Sequence, residues 1–209
     1  IGETGSFGAG GVDFYAVKAN SMGDTLWTKA YGSTGDEFGY YVEETSDSGY
    51  IFCGYSTTMG AGNDDAYVVR TNSMGDTLWT KTYGSVGYDY AYSIKQTMDS
   101  GFVITGTTDG FGVGNQDVYV IRTDAMGDTL WTKVYGGSGF EGGWTIDETS
   151  DSGYVICGWS NSFSAGGYDV YLIRTDAAGD TLWTKSYGGT SDDIGLTVTE
   201  NPRSEERRV

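Results

Sequence analysis

The sequence predicts an all-β protein made of repeated four-stranded units. Three observations carry this prediction: a constant 52-residue repeat, a composition suited to strands and turns, and four short apolar segments in each repeat. Glycine is abundant at 35 residues, and the aromatic content includes 17 Tyr and 6 Trp. Glycine permits turns and close strand approaches, whereas Tyr, Trp, Val, Ile and Thr favour a pleated, half-buried surface.

The repeat is marked by the run Gly-Asp-Thr-Leu-Trp-Thr-Lys, which recurs without insertion. Self-similarity with a period of roughly 20–50 residues is typical of solenoids and propellers. The run therefore sets the organisation of the chain. Its four copies occupy residues 23–29, 75–81, 127–133 and 179–185.

Each repeat resolves into four strands, A to D. In strand A, Tyr40 and Val42 are predicted to point inward. Strand B is apolar on both faces and is predicted to be a buried central strand. Strand D carries Lys81, which suits an outer edge because charge discourages edge pairing. In the copy taken as the example, the strands are predicted at residues 39–45 (A), 50–56 (B), 65–72 (C) and 77–83 (D).

Four antiparallel strands in a unit of about 50 residues match the blade of a β-propeller. A solenoid coil would need a shorter period and parallel strands, and a β-prism or sandwich is the remaining alternative. The chain is divided accordingly into a partial blade 1–32, blades 33–84, 85–136 and 137–188, a partial blade 189–200, and a non-repeat tail 201–209.

The blade sequence resembles a known repeat family. The segments YGSVGYDYAYSIKQTMDSGFVITGTT and DVYVIRTDAMGDTLWTKVYG are similar to the short bacterial propeller repeats called SBBP or delta-60 repeats. The Leu-Trp of the C-to-D part is also similar to PQQ-type propeller repeats. This resemblance covers nearly all of residues 1–200 and implies an extracellular or cell-surface scaffold or adhesion protein, with no catalytic motif to transfer.

Charge and composition exclude several functions. The formal net charge of −17 disfavours nucleic acid, because phosphate binding depends on Lys and Arg. No apolar run reaches the length of a membrane span, so membrane insertion is not expected. The absence of His removes Ser-His-Asp and Cys-His catalysis and every His-ligated metal site.

A glycan-active enzyme with paired carboxylates remains the disfavoured alternative. The acidic residues mostly follow the repeat, as structural residues do, whereas an active site is normally asymmetric. Cys53 and Cys157 occupy the same position of strand B two blades apart. A disulfide needs Cα atoms within about 7 Å, so two buried free thiols are predicted.

One acidic series comes just before strand A, where the D-to-A connection of a propeller approaches the central channel. The carboxylates could form a Ca²⁺ site, since hard cations bind oxygen ligands. Alternatively, each carboxylate caps backbone N–H groups in its own loop. This series consists of Glu37, Asp89, Glu141 and Asp193.

Two further Asp series are interpreted as turn and strand-entry residues, because Asp bonds to local backbone. The first begins strand C and the second follows the turn glycine. The first comprises Asp13, Asp65, Asp117 and Asp169, and the second Asp24, Asp76, Asp128 and Asp180.

The Gly-rich B-to-C loops carry a large apolar residue at the equivalent position of every repeat. Exposed on one rim, these side chains would suit a protein or glycan ligand; tucked between blades, they would be structural. The function expected first is a non-enzymatic scaffold or adhesion propeller, and second a carbohydrate-binding lectin. The loop residues are Phe7, Met59, Phe111 and Phe163.

The ends of the repeat predict an open arc. Residues 1–2 correspond to the middle of a strand B, and residues 201–204 replace the expected turn. Three whole blades with partial blades at both ends are therefore expected, with exposed edges that favour association. The repeated Trp of strand D is predicted to be largely buried between successive blades, at Trp27, Trp79, Trp131 and Trp183.

Overall fold

The computed structural model describes residues 1–200, in which strands and turns occur and no helix does. The predicted non-repeat tail, residues 201–209, lies outside the described residues. Four antiparallel sheets form the fold. The first holds β1 (Gly2–Thr4), β2 (Asp13–Ala19) and β3 (Thr25–Tyr31); the second β4 (Glu37–Glu44), β5 (Tyr50–Ser56), β6 (Asp65–Thr71) and β7 (Thr77–Tyr83); the third β8 (Asp89–Gln96), β9 (Phe102–Thr108), β10 (Asp117–Thr123) and β11 (Thr129–Tyr135); the fourth β12 (Glu141–Glu148), β13 (Tyr154–Ser160), β14 (Asp169–Thr175) and β15 (Thr181–Tyr187).

Each four-stranded sheet is a meander in the order A, B, C, D. The A strands of successive sheets, β4, β8 and β12, contact one another, whereas each D strand is the opposite edge of its sheet. The A strands therefore line the inner side of an arc and the D strands its outer side. The predicted all-β, propeller-type fold is confirmed.

The arc is open. Residues 188–200 carry no strand assignment, and within residues 1–200 no strand pairing joins them to β1. The first sheet consequently has three strands and lacks a strand A. This confirms the expectation that the chain does not close into a four-blade ring.

Strand A differs from its prediction in two ways. It begins at Glu37, which pairs with Ser56, so the acidic residue lies inside the strand. A β-bulge between Gly39 and Tyr41 then adds one residue and turns Tyr40 out of the alternation. Tyr40 is 45% exposed, so the prediction that it points inward is wrong.

The core lies between successive sheets and is built on strand B. The B strands of the complete sheets are almost wholly buried, as predicted. Trp27, Trp79 and Trp131 each pack on the strand B aromatic of the next sheet with ring centroids 5.8 Å apart. Within residues 1–200 no sheet follows Trp183, which is 42% exposed, so its predicted burial is wrong.

A polar lock joins the outer parts of neighbouring sheets. The Tyr83 hydroxyl donates to the carbonyl of Gly127 at 2.8 Å, and Lys81 Nζ lies 2.8 Å from the Asp128 carboxylate. The same pairs recur one repeat earlier and one repeat later. The Asp of this turn therefore forms an ion pair between blades in addition to its role in the turn.

A second lock joins the A-to-B hairpin to strand C. Arg70 is buried and its guanidinium donates to both oxygens of Asp47 at 2.6 and 2.7 Å. A hydrogen bond from Thr45, and to a smaller extent one from Arg70, lowers the pKa of Asp47 to about 2. The first sheet has no such hairpin, and there Lys18 occupies the arginine position, 5.1 Å from the centroid of the Tyr50 ring.

Both cysteines are free and buried, which confirms the prediction. Burial raises the pKa of the Cys53 and Cys157 thiols, so little thiolate is present near neutral pH. We expect a bulky disulfide reagent to label neither thiol in the native protein and both after unfolding in urea. Rapid native labelling, followed by absorbance, would show that strand B is accessible.

Candidate functional site

The four loop residues of the B-to-C connections pack on their own blade. Phe111 lies 5.6 Å from Tyr119 and Phe163 lies 5.4 Å from Tyr171 between ring centroids, and both phenylalanines remain exposed. Phe7 stacks in the same way, whereas Met59 is partly buried against the core. The arrangement places three exposed rings on separate loops, and none of them contacts another.

The acidic series at the start of strand A caps local backbone. Glu37 Oε2 accepts from Ser33 N–H at 2.7 Å, and Glu141 Oε2 accepts from Gly137 N–H at 2.7 Å. Asp89 and Asp193 accept equivalent bonds. Each of these contacts is the local cap that the sequence offered as the alternative to a Ca²⁺ site.

Each carboxylate of this series faces one from the start of strand C across a glycine. Asp117 and Glu141 lie on either side of Gly136, and both are buried. No group of three or more Asp, Glu or Cys side chains that could hold a metal ion occurs within residues 1–200. Ca²⁺ binding by the acidic series stays a prediction.

Two of the strand C carboxylates in these pairs, Asp117 and Asp169, each have a buried oxygen without a hydrogen-bond partner within residues 1–200. Asp117 Oδ2 accepts from the Val113 and Gly114 amides, while its Oδ1 is buried without a hydrogen-bond partner. Burial, and to a smaller extent the Glu141 charge, raise the pKa of Asp117. The charged form of the Asp117 carboxylate is therefore unfavourable in the folded protein.

We expect Asp117→Asn to stabilise the fold at neutral pH. The amide oxygen keeps the loop bonds and the amide nitrogen can donate to Glu141, a gain of about 1 kcal/mol. A raised folded pKa gives stability that is present at low pH and lost as pH rises through that pKa. The advantage of the variant should therefore vanish below about pH 4, the unfolded pKa of Asp.

Urea unfolding between pH 3 and pH 8 measures this difference. Asp128→Asn is the control, because it removes an exposed ion pair with Lys81 and should lower stability by less than about 1 kcal/mol. A destabilising effect of Asp117→Asn at neutral pH would contradict the explanation.

A continuous band of aromatic rings runs along the inner strands of three sheets. Consecutive rings lie within 6.4 Å of each other between centroids. None of the side chains is fully buried. We call this surface the inner aromatic band, and it consists of Phe38, Tyr40, Tyr55, Tyr88, Tyr90, Tyr92, Trp144, Trp159 and Tyr168.

The bulge of strand A creates the centre of the band. It turns Tyr40, Tyr92 and Trp144 toward one another, with centroid distances of 5.2 Å and 4.5 Å between successive rings. Trp159 extends the band by lying over Gly142, where a Cβ atom would overlap its ring. A regular strand would have placed these side chains on the sheet face instead.

Hydrogen-bonding groups accompany the rings. The Tyr90 hydroxyl donates to Asp64 Oδ2 at 2.9 Å, and the indole nitrogen of Trp144 has no hydrogen-bond partner among the described residues. Burial is the main cause that raises the pKa of Tyr55 to about 12 and that of Tyr90 above its usual range. The phenols therefore stay protonated, and because the Tyr90 proton is donated to Asp64, the Tyr90 oxygen is left as a hydrogen-bond acceptor.

The band departs from the 52-residue repeat. The position of Phe38 holds Tyr90, then Gly142 and Ile194, and the position of Tyr55 holds Thr107 and Trp159. Sequence reasoning assigned Tyr40 and its equivalents to the core and so missed this surface. The available signal was the irregular exchange of aromatic residues within an otherwise constant unit.

Comparisons with known proteins give two similarities. No protein-family model matches the chain. Regulatory protein FlaEY of Caulobacter vibrioides is 26% identical over 168 residues, which cover 73% of this chain. The chain spans only 17% of the length of that relative.

Among solved structures, a protein of unknown function from Bacteroides caccae aligns with 92% of this chain and 81% of its own, with 11% identity and a TM-score of 0.35. Within residues 1–200, no helix is long and apolar enough to cross a membrane.

Proposed function

We propose that the chain is a non-enzymatic binding propeller with an extracellular or cell-surface scaffold or adhesion role. The observation that carries the proposal is the inner aromatic band, because it departs from the repeat while the structural contacts around it obey the repeat. Tyr and Trp supply large, rigid contact area and dominate binding energy at protein interfaces. The band is therefore the proposed contact surface.

A carbohydrate ligand is the second candidate. The C–H groups on one face of a sugar ring pack on aromatic rings, and its hydroxyls need donors and acceptors beside them. The Tyr90 oxygen and the Asp64 carboxylate provide such groups next to the band. The loop phenylalanines, which were predicted to bind, are the rival surface for the same ligand.

The test is binding of the chain to an array of glycans and to an array of surface proteins. Tyr40→Ala should lower affinity on the order of tenfold, equivalent to 1.4 kcal/mol, because it removes an exposed ring from the centre of the band. Phe111→Ala reports on the loops, and Leu130→Ala, on the exposed outer strand β11, is the matched control.

Loss of binding with Phe111→Ala alone would move the site to the loops. Hydrolysis of an arrayed glycan would overturn the non-enzymatic assignment. Location is tested separately by protease treatment of intact cells that carry the natural gene, where protection of the protein would contradict surface exposure.

A further inference from the structure

A cleft opens between the second and third sheets, at the end where the A-to-B hairpins and the C-to-D turns lie. Its volume is about 470 Å³, within the range of roughly 300–1,000 Å³ for small-molecule sites. The second sheet contributes Asp47, Arg70 and Trp79 to its lining, and the third sheet contributes Gln96 and Phe102. We call it the larger interblade cleft, and it shares no residue with the inner aromatic band.

The junction between the third and fourth sheets holds the equivalent cleft one repeat later, with a volume of about 280 Å³. Two contacts characterise this smaller interblade cleft. Arg122 Nε–H donates to the Tyr154 hydroxyl at 2.9 Å, and the Glu148 carboxylate accepts from the Met98 amide at 2.8 Å. The larger cleft departs from the repeat at both contacts.

The first departure leaves a donor of Arg70 unbonded. Phe102 takes the place of Tyr154, and its ring lies 5.8 Å from that of Trp79, the centroid distance of the corresponding pair in the smaller cleft. The terminal nitrogens of Arg70 donate to Asp47 and to backbone carbonyls, whereas its Nε has no hydrogen-bond partner within residues 1–200. Because buried polar groups are normally bonded, this nearly buried N–H is a donor that a ligand could satisfy.

The second departure adds another donor. Gln96 takes the place of Glu148, and its Oε1 accepts from the Ser46 amide at 2.8 Å. Its amide nitrogen donates to no other group in the part of the chain that the structure describes, and the corresponding carboxylate of the smaller cleft has no such donor. Asp47 supplies an acceptor in the same lining, since its side chain is 61% exposed.

Apolar side chains complete the larger cleft. The Trp79 indole is half-buried, and Leu78 and Met126 are exposed beside it. A mostly apolar lining with a few placed polar groups is typical of small-molecule sites. The ligand that fits has one apolar face and acceptor atoms along an edge.

Charge selects among such ligands. The net charge of −17 disfavours an anion, because the field of the whole chain repels it. A cation is disfavoured as well, since Gln96 replaces the carboxylate of the smaller cleft and Asp47 is already paired with Arg70. The cleft therefore suits a neutral ligand rich in hydroxyl groups.

We propose that the larger interblade cleft binds a neutral sugar ring. The C–H face of the ring packs on Trp79, and two hydroxyl oxygens accept from Arg70 Nε–H and from the Gln96 amide. A further hydroxyl donates to the Asp47 carboxylate. The site is separate from the inner aromatic band and does not depend on it.

The test is a titration of the ¹⁵N-labelled chain with the methyl glycosides of glucose, galactose and mannose. The 6 Trp give separate indole N–H signals, and that of Trp79 is assigned by its loss in Trp79→Phe. We expect the Trp79 signal to shift with at least one of these sugars. Phe102→Tyr should weaken this binding about tenfold, the effect of one hydrogen bond to a charged group, because the new hydroxyl accepts the Arg70 Nε–H bond.

Gln96→Glu should also weaken binding, because it removes the second donor. Both variants copy residues that the smaller cleft already holds, so the fold should accept them, and an unchanged urea midpoint checks this. Glu148→Gln is the matched control. It makes the reverse exchange in the cleft that Tyr154 closes, and it should leave the affinity unchanged.

Three results would overturn the proposal. The first is the absence of any shift of the Trp79 signal, including the case in which only Trp144 and Trp159 shift, which would place the sugar on the inner aromatic band and leave the proposed function intact. The second is binding that Phe102→Tyr and Gln96→Glu leave unchanged. The third is tighter binding of methyl glucuronide or of tetra-alanine, which would assign the cleft to an anion or to a peptide.

Discussion

Replacing Trp131 with alanine is expected to lower the free energy of unfolding by about 3 kcal/mol, the lower end of the range for Trp truncation. The indole packs edge-on against Tyr154 of the next sheet, with centroids 5.8 Å apart, and joins the core cluster between the third and fourth sheets. The variant leaves a cavity between sheets that the rigid strands on both sides cannot fill. Urea unfolding followed by circular dichroism measures the loss.

Trp183→Ala is the internal control for the same residue in the same strand. Its indole faces no further sheet in the part of the chain that the structure describes and is 42% exposed, so the loss should stay below about 1 kcal/mol, as for ordinary surface substitutions. Equal losses would show that the contribution of Trp131 to the free energy of unfolding does not come from contact between sheets.

The repeat predicted the strands well because each blade uses local rules. Strands B and D were predicted at the bounds that the structure shows. The signals were the alternation of apolar and polar residues, the turn residues between strands, and the charged residue of the edge strand. Strand C ended one residue earlier than predicted, at Thr71. Strand A could not be placed by alternation, since a bulge adds one residue without a change in composition.

Side-chain contacts between residues distant in the chain were harder to predict than the strands. The bidentate pair of Arg70 and Asp47 joins residues 23 apart in the chain, and the lock of Lys81 and Asp128 joins residues 47 apart. The first depends on the register of strands within one sheet, and the second depends on the stacking of successive blades. A single sequence shows these residues as repeating charges and does not show which of them meet.

The inner aromatic band was missed for a similar reason. Its rings come from strands A and B of three sheets and from the loops before β8 and β14. The bulge must be known before Tyr40 is seen to leave the core. The predicted loop residues were found from sequence because a large apolar residue that recurs in a Gly-rich loop is conspicuous. The structure shows those loop rings apart from one another, whereas the band is continuous.

Replacing Gly106 with alanine is the second change with a large expected effect. Gly106 lies in the middle of the fully buried strand β9, opposite Ala91 at the strand A bulge. An added Cβ would overlap the carbonyl oxygen of Tyr90, and a second contact would be the Ala91 Cα at 3.1 Å. These are backbone atoms held by pairing on both sides, so the chain cannot move a side chain aside to make room.

We expect Gly106→Ala to cost about 3 kcal/mol, the upper end of the range for overpacked cores, with the loss seen as a lower urea midpoint. Gly2→Ala is the matched control, because it makes the same substitution at the same repeat position where no strand A is present. It should leave the midpoint of the single chain unchanged, since nothing lies within 4 Å of the added atom. Bulges bring two backbones close together and exclude side chains there. If both variants had the same midpoint, the closeness of strand A to Gly106 would not be what requires glycine at this position.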